Sequence, residues 1–209
     1  CEAQYGCLIK YPAETWTNLP MLLIGIYIIW KLAPTDGTLG RVYGWMIVAI
    51  ALGSAFYHAS HTSLGEFLDV GAMLALSSFF IVFASRRFRQ GTTFPISLFF
   101  LILIPSLIVQ RLNSIAGLVV FGVEGLTALG LEIKVLRSFT PFSSERRAFR
   151  KATIAFLLAL LFWILDITRI LCIPHNHVLS GHGLWHILTG VATYYLYLYF
   201  RHPSVLKNS

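Results

Sequence analysis

Seven apolar runs, separated by short charged or turn-rich segments, make up most of this chain of 209 residues. They cover residues 18–32, 42–61, 66–85, 94–110, 115–136, 151–172 and 182–200. A helix that crosses a lipid bilayer needs roughly 20 mostly apolar residues. The runs therefore predict an all-α fold, a single seven-transmembrane helix bundle that occupies residues 1–209 as one domain.

The composition excludes several other classes of protein. Hydrophobic residues form 56% of the chain and charged residues 12%, whereas soluble domains contain about 25% charged residues. A soluble enzyme of this composition could not cover its surface with polar groups, and a disordered chain is excluded as well. The net charge of +7 does not indicate a nucleic-acid partner, because basic residues in a membrane protein report topology.

The positions of the basic residues predict the orientation of the bundle. An outside N-terminus places thirteen of the 16 Lys and Arg residues in the inner loops and tail. Only Lys10, Arg111 and Arg169 then lie on the outer side. Because Lys and Arg concentrate in cytoplasmic loops, we expect the N-terminus outside and the C-terminus inside.

Ionisable side chains from four of the runs lie at one depth in this topology, close to the outer face. Each of these side chains lies near the outer end of its run. They are His58 in the second run, Asp69 in the third, Asp166 in the sixth, and His182 and His186 in the last. An ionisable group at membrane depth costs at least ~2.5 kcal/mol and therefore needs a partner or a function. Chance would scatter such groups over both faces, so we expect them to form one site.

The spacing of the histidines is typical of a metal site. His182 and His186 are four residues apart, which places both rings on one helix face. His58 is the expected third ligand, and His61, one turn further on, is a less favoured alternative at the membrane edge. Three neutral histidines leave a fourth position on zinc for water, as in hydrolytic sites. Interhelical hydrogen bonds between the histidines are the simpler alternative.

Two further residues at this depth suit amide or ester hydrolysis. Asp69 can orient the attacking water or take its proton. Ser54, one turn before His58, can donate its hydroxyl to the oxyanion that develops on a carbonyl. A serine in a membrane helix also commonly serves only in helix packing.

The other polar residues of the runs and loops are expected to be structural. His175 and His177 lie in a predicted loop and are expected to be solvated. Glu124, in the middle of the fifth run, is expected to be a protonated, hydrogen-bonded glutamate packed against a neighbouring helix. Glu132 is expected to meet Lys134 or nearby basic residues.

The order and spacing of these residues resemble a known superfamily. Ser54-x-x-x-His58, Asp69 eleven residues later, and His182-x-x-x-His186 in the last run resemble the CREST superfamily of seven-span metal hydrolases. Its members include alkaline ceramidases, adiponectin and progestin receptors, and proteins that remodel GPI lipids. Segments at both ends of the chain, 1–18 and 163–190, look most like the alkaline ceramidases.

The resemblance implies a zinc ion held by His58, His182 and His186, with Asp69 acting on the zinc-bound water and Ser54 as the oxyanion donor. It implies ceramide as the substrate, an amide cleaved to a sphingoid base and a free fatty acid. The partners would then be a membrane lipid and the bilayer, with the site on the extracytoplasmic side of a multi-pass membrane protein.

The resemblance also implies two features of the N-terminal segment. Family members bind calcium through acidic residues there, and Glu2 and Glu14 match that motif. The family pairs the positions of Cys1 and Cys172 as a disulfide. By topology alone, Cys7 is also outside, so Cys1–Cys7 and Cys7–Cys172 remain alternatives.

Two other functions are compatible with the same residues. The superfamily's receptor branch would use the zinc structurally, in a lipid-sensing protein without turnover. A hydrolase of ester lipids, as in GPI remodelling, would use the same metal and water as an amidase.

Overall fold

The structure is a computed structural model that describes residues 1–6, 8–88, 94–137 and 143–201. Within these ranges the chain forms helices and no strands, which confirms the predicted all-α class. The helices are α1 (Pro12–Trp16), α2 (Leu19–Tyr27), α3 (Ala33–Ser60), α4 (Ser63–Phe88), α5 (Ile96–Leu112), α6 (Ser114–Leu136), α7 (Ser144–Ile167) and α8 (Gly181–Phe200). A π-helical turn, Ile28–Leu32, joins α2 to α3.

Side-chain caps fix where three of the long helices begin. Asn113 accepts a hydrogen bond from the Ala116 N–H at the start of α6. Ser143 and Ser180 cap α7 and α8 in the same way. Each cap satisfies an N–H group that the first helical turn leaves unpaired. The cap on α8 places His182 and His186 within the first two turns of that helix.

Each predicted run contains a helix, but one predicted boundary is wrong. The sixth run ends as a helix at Ile167, and Cys172 lies in the following loop. The helix stops early because Arg169 adopts a left-handed conformation, with φ at 60°, which interrupts the helical repeat. The turn-rich residues 34–37 between the first two runs coincide with a kink in α3 at Gly37, where φ is 75° and the backbone is not helical.

Four helical segments of the described chain are long and apolar enough to cross a membrane: Gly37–Ser60, Ser63–Arg87, Ser114–Leu136 and Ser144–Ile167. Ile96–Leu112 is apolar but shorter. These segments identify a membrane protein, since a span needs roughly 20 apolar residues. The count of seven spans and the orientation of the termini stay predictions, and Arg89 and Lys207, two of the thirteen inner basic residues, lie outside the described residues.

An aromatic core joins α3, α4 and α8 away from the histidines. The Tyr43 ring of α3 lies 6.4 Å from Phe79, 5.7 Å from Tyr197 and 6.3 Å from Phe200, measured between centroids. Its buried hydroxyl donates to the Thr193 carbonyl oxygen at 2.7 Å. The hydrogen bond compensates for the burial of the phenol oxygen, so the three helices are held together by both apolar and polar contacts.

Closer to the histidines, α3 and α4 approach each other at Gly53. A Cβ atom at Gly53 would lie 2.9 Å from the Leu68 carbonyl oxygen. Any larger residue would therefore push the two backbones apart. This contact brings Asp69, which follows Leu68, next to the turn of α3 that carries His58.

A buried ionic network links α4, α6 and α8 near the other end of the bundle. Arg87 Nη1 lies 2.8 Å from Glu132 Oε2, and the Tyr199 hydroxyl donates to the same oxygen at 2.7 Å. The guanidinium also lies over the Tyr199 ring, 5.2 Å from its centroid. The basic partner of Glu132 is thus Arg87 on a neighbouring helix.

Glu124 makes a second polar cluster within the membrane helices. Its carboxyl group accepts hydrogen bonds from Ser77 and Ser78 of α4 and from Ser106 of α5. This agrees with the prediction of a hydrogen-bonded glutamate packed against neighbouring helices. The cluster connects three helices, because Glu124 itself belongs to α6.

Replacing Arg87 by Ala should strongly destabilise the bundle, because it leaves the Glu132 carboxylate buried without its charged partner. We expect a loss of about 3–5 kcal/mol in the free energy of unfolding, measured by detergent-induced unfolding in mixed micelles. Arg150→Ala, at an exposed basic position of α7, is the control and should change little. Equal stability of the two variants would contradict the structural role of the network.

Candidate metal centre

The three histidines predicted as metal ligands converge in the structure. One ring nitrogen from each of His58, His182 and His186 lies within 4.8 Å of the others. His58 and His186 are buried, and His182 is partly buried. The alternative ligand His61 is exposed and stacks on Tyr57 with ring centroids 5.3 Å apart. Of the two candidates on α3, the structure therefore brings His58 to the other two histidines.

The His58 ring is arranged to offer a lone pair to a metal. Its Nδ1 atom lies 2.9 Å from Glu14 Oε2, so Nδ1 donates its hydrogen to that carboxylate. Its Nε2 atom is buried and has no hydrogen-bond partner within the described part of the chain. A buried polar atom without a partner is costly. A metal ion at Nε2 would remove that cost, so the residues present fit the implied zinc.

The Glu14 carboxylate that holds His58 lies outside the proposed membrane spans. Burial raises the pKa of Glu14, but the hydrogen bond from His58 and the nearby His182 outweigh burial and leave the pKa below its ordinary value. An ionised carboxylate has no hydrogen to donate, so Glu14 accepts at this contact. This supports the assignment of the hydrogen to His58 Nδ1.

His186 is held from both sides of its ring. Its Nδ1 atom lies 3.1 Å from Thr17 Oγ1 and 3.3 Å from Asn18 Nδ2. Its Nε2 atom lies 3.3 Å from Ser54 Oγ. The Nε2 edge of His186 therefore faces α3, which also carries His58.

Two carboxylates lie close to the third histidine, His182. Glu14, Asp166 and His182 form a second group whose ligand atoms are within 4.8 Å of one another. Asp166 is buried, and its Oδ2 atom lies 2.9 Å from the Cys1 nitrogen. A Cβ atom at Gly181 would lie 2.8 Å from Asp166 Cβ, so the absence of a side chain there lets α8 begin directly against the end of α7.

The two predicted catalytic residues lie beside the histidines. Ser54 is buried one turn before His58, and its contact with His186 places its hydroxyl at the Nε2 edge of that ring. Asp69 is partly buried on α4 and close enough to interact with Ser54 and His58. Their positions are compatible with the predicted roles, which stay predictions.

Glu2 and Glu14, the predicted calcium ligands, have other partners in the structure. The two Glu2 oxygens accept hydrogen bonds from the backbone N–H groups of Ala13 and Glu14, at 3.0 and 3.1 Å. Glu2 Oε1 also lies 2.8 Å from His177 Nδ1. His177 is thus a partner of Glu2 rather than a solvated loop residue, whereas His175 is exposed as predicted. Calcium binding stays a prediction.

A disulfide fixes the N-terminal segment over the site. Cys1 and Cys172 are bonded, with their Cα atoms 5.7 Å apart. The Ala3 N–H also donates to the Pro174 carbonyl oxygen at 2.8 Å. The pairing is the one implied by the resemblance, and Cys7, the member of both alternative pairs, lies outside the described residues. The bond ties the segment before α1 to the loop between α7 and α8.

Comparison with known families agrees with this arrangement. The family model named Ceramidase matches residues 1–209, the whole chain. The chain belongs to the ceramidase family. The alkaline ceramidase resemblance is therefore confirmed, and the family assigns the protein to the hydrolases, with ceramide hydrolysis as its general activity. A search of the curated proteins found no match.

Sequence reasoning missed three partners of the histidines in this ceramidase-family chain. Glu14 was expected at a calcium site, but it holds His58. The sequence predicts no role for Thr17 or Asn18, which both contact His186. The only sequence signal is the spacing of three between Glu14 and Thr17, which places them on one side of a helical turn. The spacing does not reveal which helices that side meets.

Metal analysis of the purified ceramidase-family protein tests the centre. We expect one zinc ion per chain in the native protein and its loss in His182→Ala, because two histidines alone hold zinc weakly. His61→Ala, which removes an exposed histidine outside the group, should retain the metal. Absence of zinc from both the native protein and His182→Ala would contradict the proposed centre.

Proposed function

We propose that this protein is a zinc-dependent amide hydrolase that cleaves ceramide in the membrane to a sphingoid base and a free fatty acid. One observation carries the proposal. Three histidines from α3 and α8 converge beside Ser54 and Asp69, and one of them, His58, presents a buried ring nitrogen without a partner among the described residues. In a member of the ceramidase family, this arrangement matches the needs of amide hydrolysis.

The three histidines are the proposed zinc ligands. His58 and His186 each have their Nδ1 atom engaged by a residue of the N-terminal segment, which leaves Nε2 for a metal. Three histidines are a common ligand set for catalytic zinc. Zinc in such a site supplies Lewis acidity and a water-derived nucleophile near neutral pH.

Asp69 and Ser54 are the proposed acid–base group and oxyanion donor. The Asp69 carboxylate takes a proton from the water that attacks the amide carbonyl. It then delivers that proton to the leaving nitrogen as the C–N bond breaks. The Ser54 hydroxyl donates a hydrogen bond to the oxygen that becomes negatively charged. The acyl group leaves as a fatty acid and the amine as a sphingoid base.

The distribution of charge along the helices supports seven spans with the N-terminus outside and the site on the extracytoplasmic side. His58 lies at the end of α3, Asp69 near the start of α4 and His182 at the start of α8, so all three share one end of the bundle. Arg87 at the end of α4 and Arg146 at the start of α7 lie at the other end. Basic residues favour the cytoplasmic end.

An apolar groove next to this end suits a hydrocarbon chain of the substrate. The groove lies between α3, α4 and α5 and has a volume of about 550 Å³. Its lining includes Gly53 and Leu68, the neighbours in sequence of Ser54 and Asp69. We therefore propose that one chain of ceramide enters from the bilayer along this groove while the amide meets the histidines.

Purified protein in mixed micelles should release both a fatty acid and a sphingoid base from ceramide. Asp69→Ala should lower kcat about 10²–10⁴-fold, the usual contribution of a general acid–base group. His182→Ala should abolish turnover. Glu66→Ala, which removes another acid of α4 three positions earlier, is the matched control and should keep near-native turnover.

The same assay separates the two alternative functions. Unchanged turnover in Asp69→Ala and His182→Ala would overturn the proposed mechanism. A native protein that binds zinc and loses thermal stability in His182→Ala, but turns over neither amide nor ester lipids, would instead be a receptor with a structural zinc. Cleavage of ester lipids alone would indicate the ester hydrolase.

A further inference from the structure

We infer that Thr17 is a positioning residue of the metal centre, because its hydroxyl oxygen holds His186 in the tautomer that binds metal. The inference rests on the proposed zinc centre and concerns a residue outside the ligand set. Thr17 follows α1 and is completely buried. It contacts the ring of His186 from the side opposite to Ser54.

The hydrogen bonds of Thr17 fix its role as an acceptor. A hydroxyl group has one hydrogen to donate. The Thr17 hydroxyl lies 2.7 Å from the Ala13 carbonyl oxygen, which can only accept. The hydrogen is therefore committed to Ala13. Toward His186 Nδ1, 3.1 Å away, the Thr17 oxygen presents a lone pair.

Asn18, the other neighbour of His186 Nδ1, does not compete for this role. Its Nδ2 atom lies 3.3 Å from the ring nitrogen, but it donates to the Glu14 carbonyl oxygen at 2.9 Å. Turning the amide over would place its oxygen against that carbonyl. Asn18 therefore presents N–H groups to His186, and Thr17 Oγ1 is the acceptor at the shorter of the two side-chain contacts of Nδ1.

The acceptor determines the tautomer of the ring. A neutral imidazole with its hydrogen on Nδ1 carries a lone pair on Nε2. His186 Nε2 is the atom that faces Ser54, on the α3 side of the ring. Metal-binding histidines commonly donate their second N–H to a polar partner, which orients the ring and strengthens the ligand.

The same turn of the chain thus holds two of the three ligands. Glu14 accepts from His58 Nδ1, and Thr17, three residues later, accepts from His186 Nδ1. Residues three apart lie on one side of a helical turn. The short helix α1 is therefore a scaffold for the metal centre.

A conservative substitution can isolate the hydroxyl of Thr17. The Thr17 methyl group packs against α8, where a Cβ atom at Gly183 would lie 2.9 Å from Thr17 Cγ2. Valine has nearly the same shape and keeps this packing but cannot accept from His186. Thr15 supplies a matched control, because its hydroxyl bonds the Tyr11 carbonyl oxygen at 2.7 Å in the same manner and has no described contact with a histidine.

The test measures the zinc affinity of the full chain by chelator competition, without any turnover assay. Thr17→Val should weaken zinc binding about 10–100-fold, the usual effect of losing such a partner. Thr17→Ser, which keeps the hydroxyl, should restore affinity close to that of the native chain. Thr15→Val should bind zinc as the native chain does. Thermal unfolding of the metal-free variants controls for folding, and Thr17→Val should match Thr15→Val.

Two results would overturn the inference and leave the proposed function intact. One is zinc affinity in Thr17→Val equal to that of the native chain. The other is binding by Thr17→Ser as weak as that of Thr17→Val, since the hydroxyl would then not be the determinant. A native chain that binds no zinc would overturn the proposed metal centre itself and this inference with it.

Discussion

Ionisable and polar groups among apolar helices must be paired, and this requirement organises both ends of the bundle. An unpaired charge within a bilayer is costly, and a buried pair near each end of the bundle joins two different elements. At one end, Arg87 of α4 meets Glu132 of α6. At the other end, His58 of α3 contacts Glu14 of α1. The first pairing engages both oxygens of Glu132. The second engages His58 Nδ1 and leaves its Nε2 lone pair for the proposed zinc.

The N-terminal segment connects the disulfide to the histidines. The Cys1–Cys172 bond holds the segment against the loop that precedes α8. Glu2 then accepts the first N–H groups of α1, which are otherwise unpaired in a helix. Helix α1, fixed in this way, places Glu14 behind His58 and Thr17 behind His186. The orientation of the ligands thus depends on a segment that contributes no proposed zinc ligand.

Patterns that depend on local sequence were predictable, and contacts between distant segments were not. The helices follow from apolar runs, and the grouping of His58 with His182 and His186 follows from their common depth. The end of α7 at Ile167 was missed because it depends on the backbone of Arg169 rather than on hydropathy. The partnership of His177 with Glu2 was missed because it joins residues 175 positions apart. The resemblance implied the disulfide, which spacing alone left open.

The local structure around zinc in the purified protein tests the central claim most directly. Zinc-edge X-ray absorption reports which atoms bind the metal, and at what distance. We expect three imidazole nitrogens at about 2.0–2.1 Å from the zinc, together with one oxygen ligand. In His186→Ala the imidazole scattering should fall or the metal should be absent. A shell of sulfur ligands, or of oxygen atoms without imidazole, would contradict a three-histidine zinc centre.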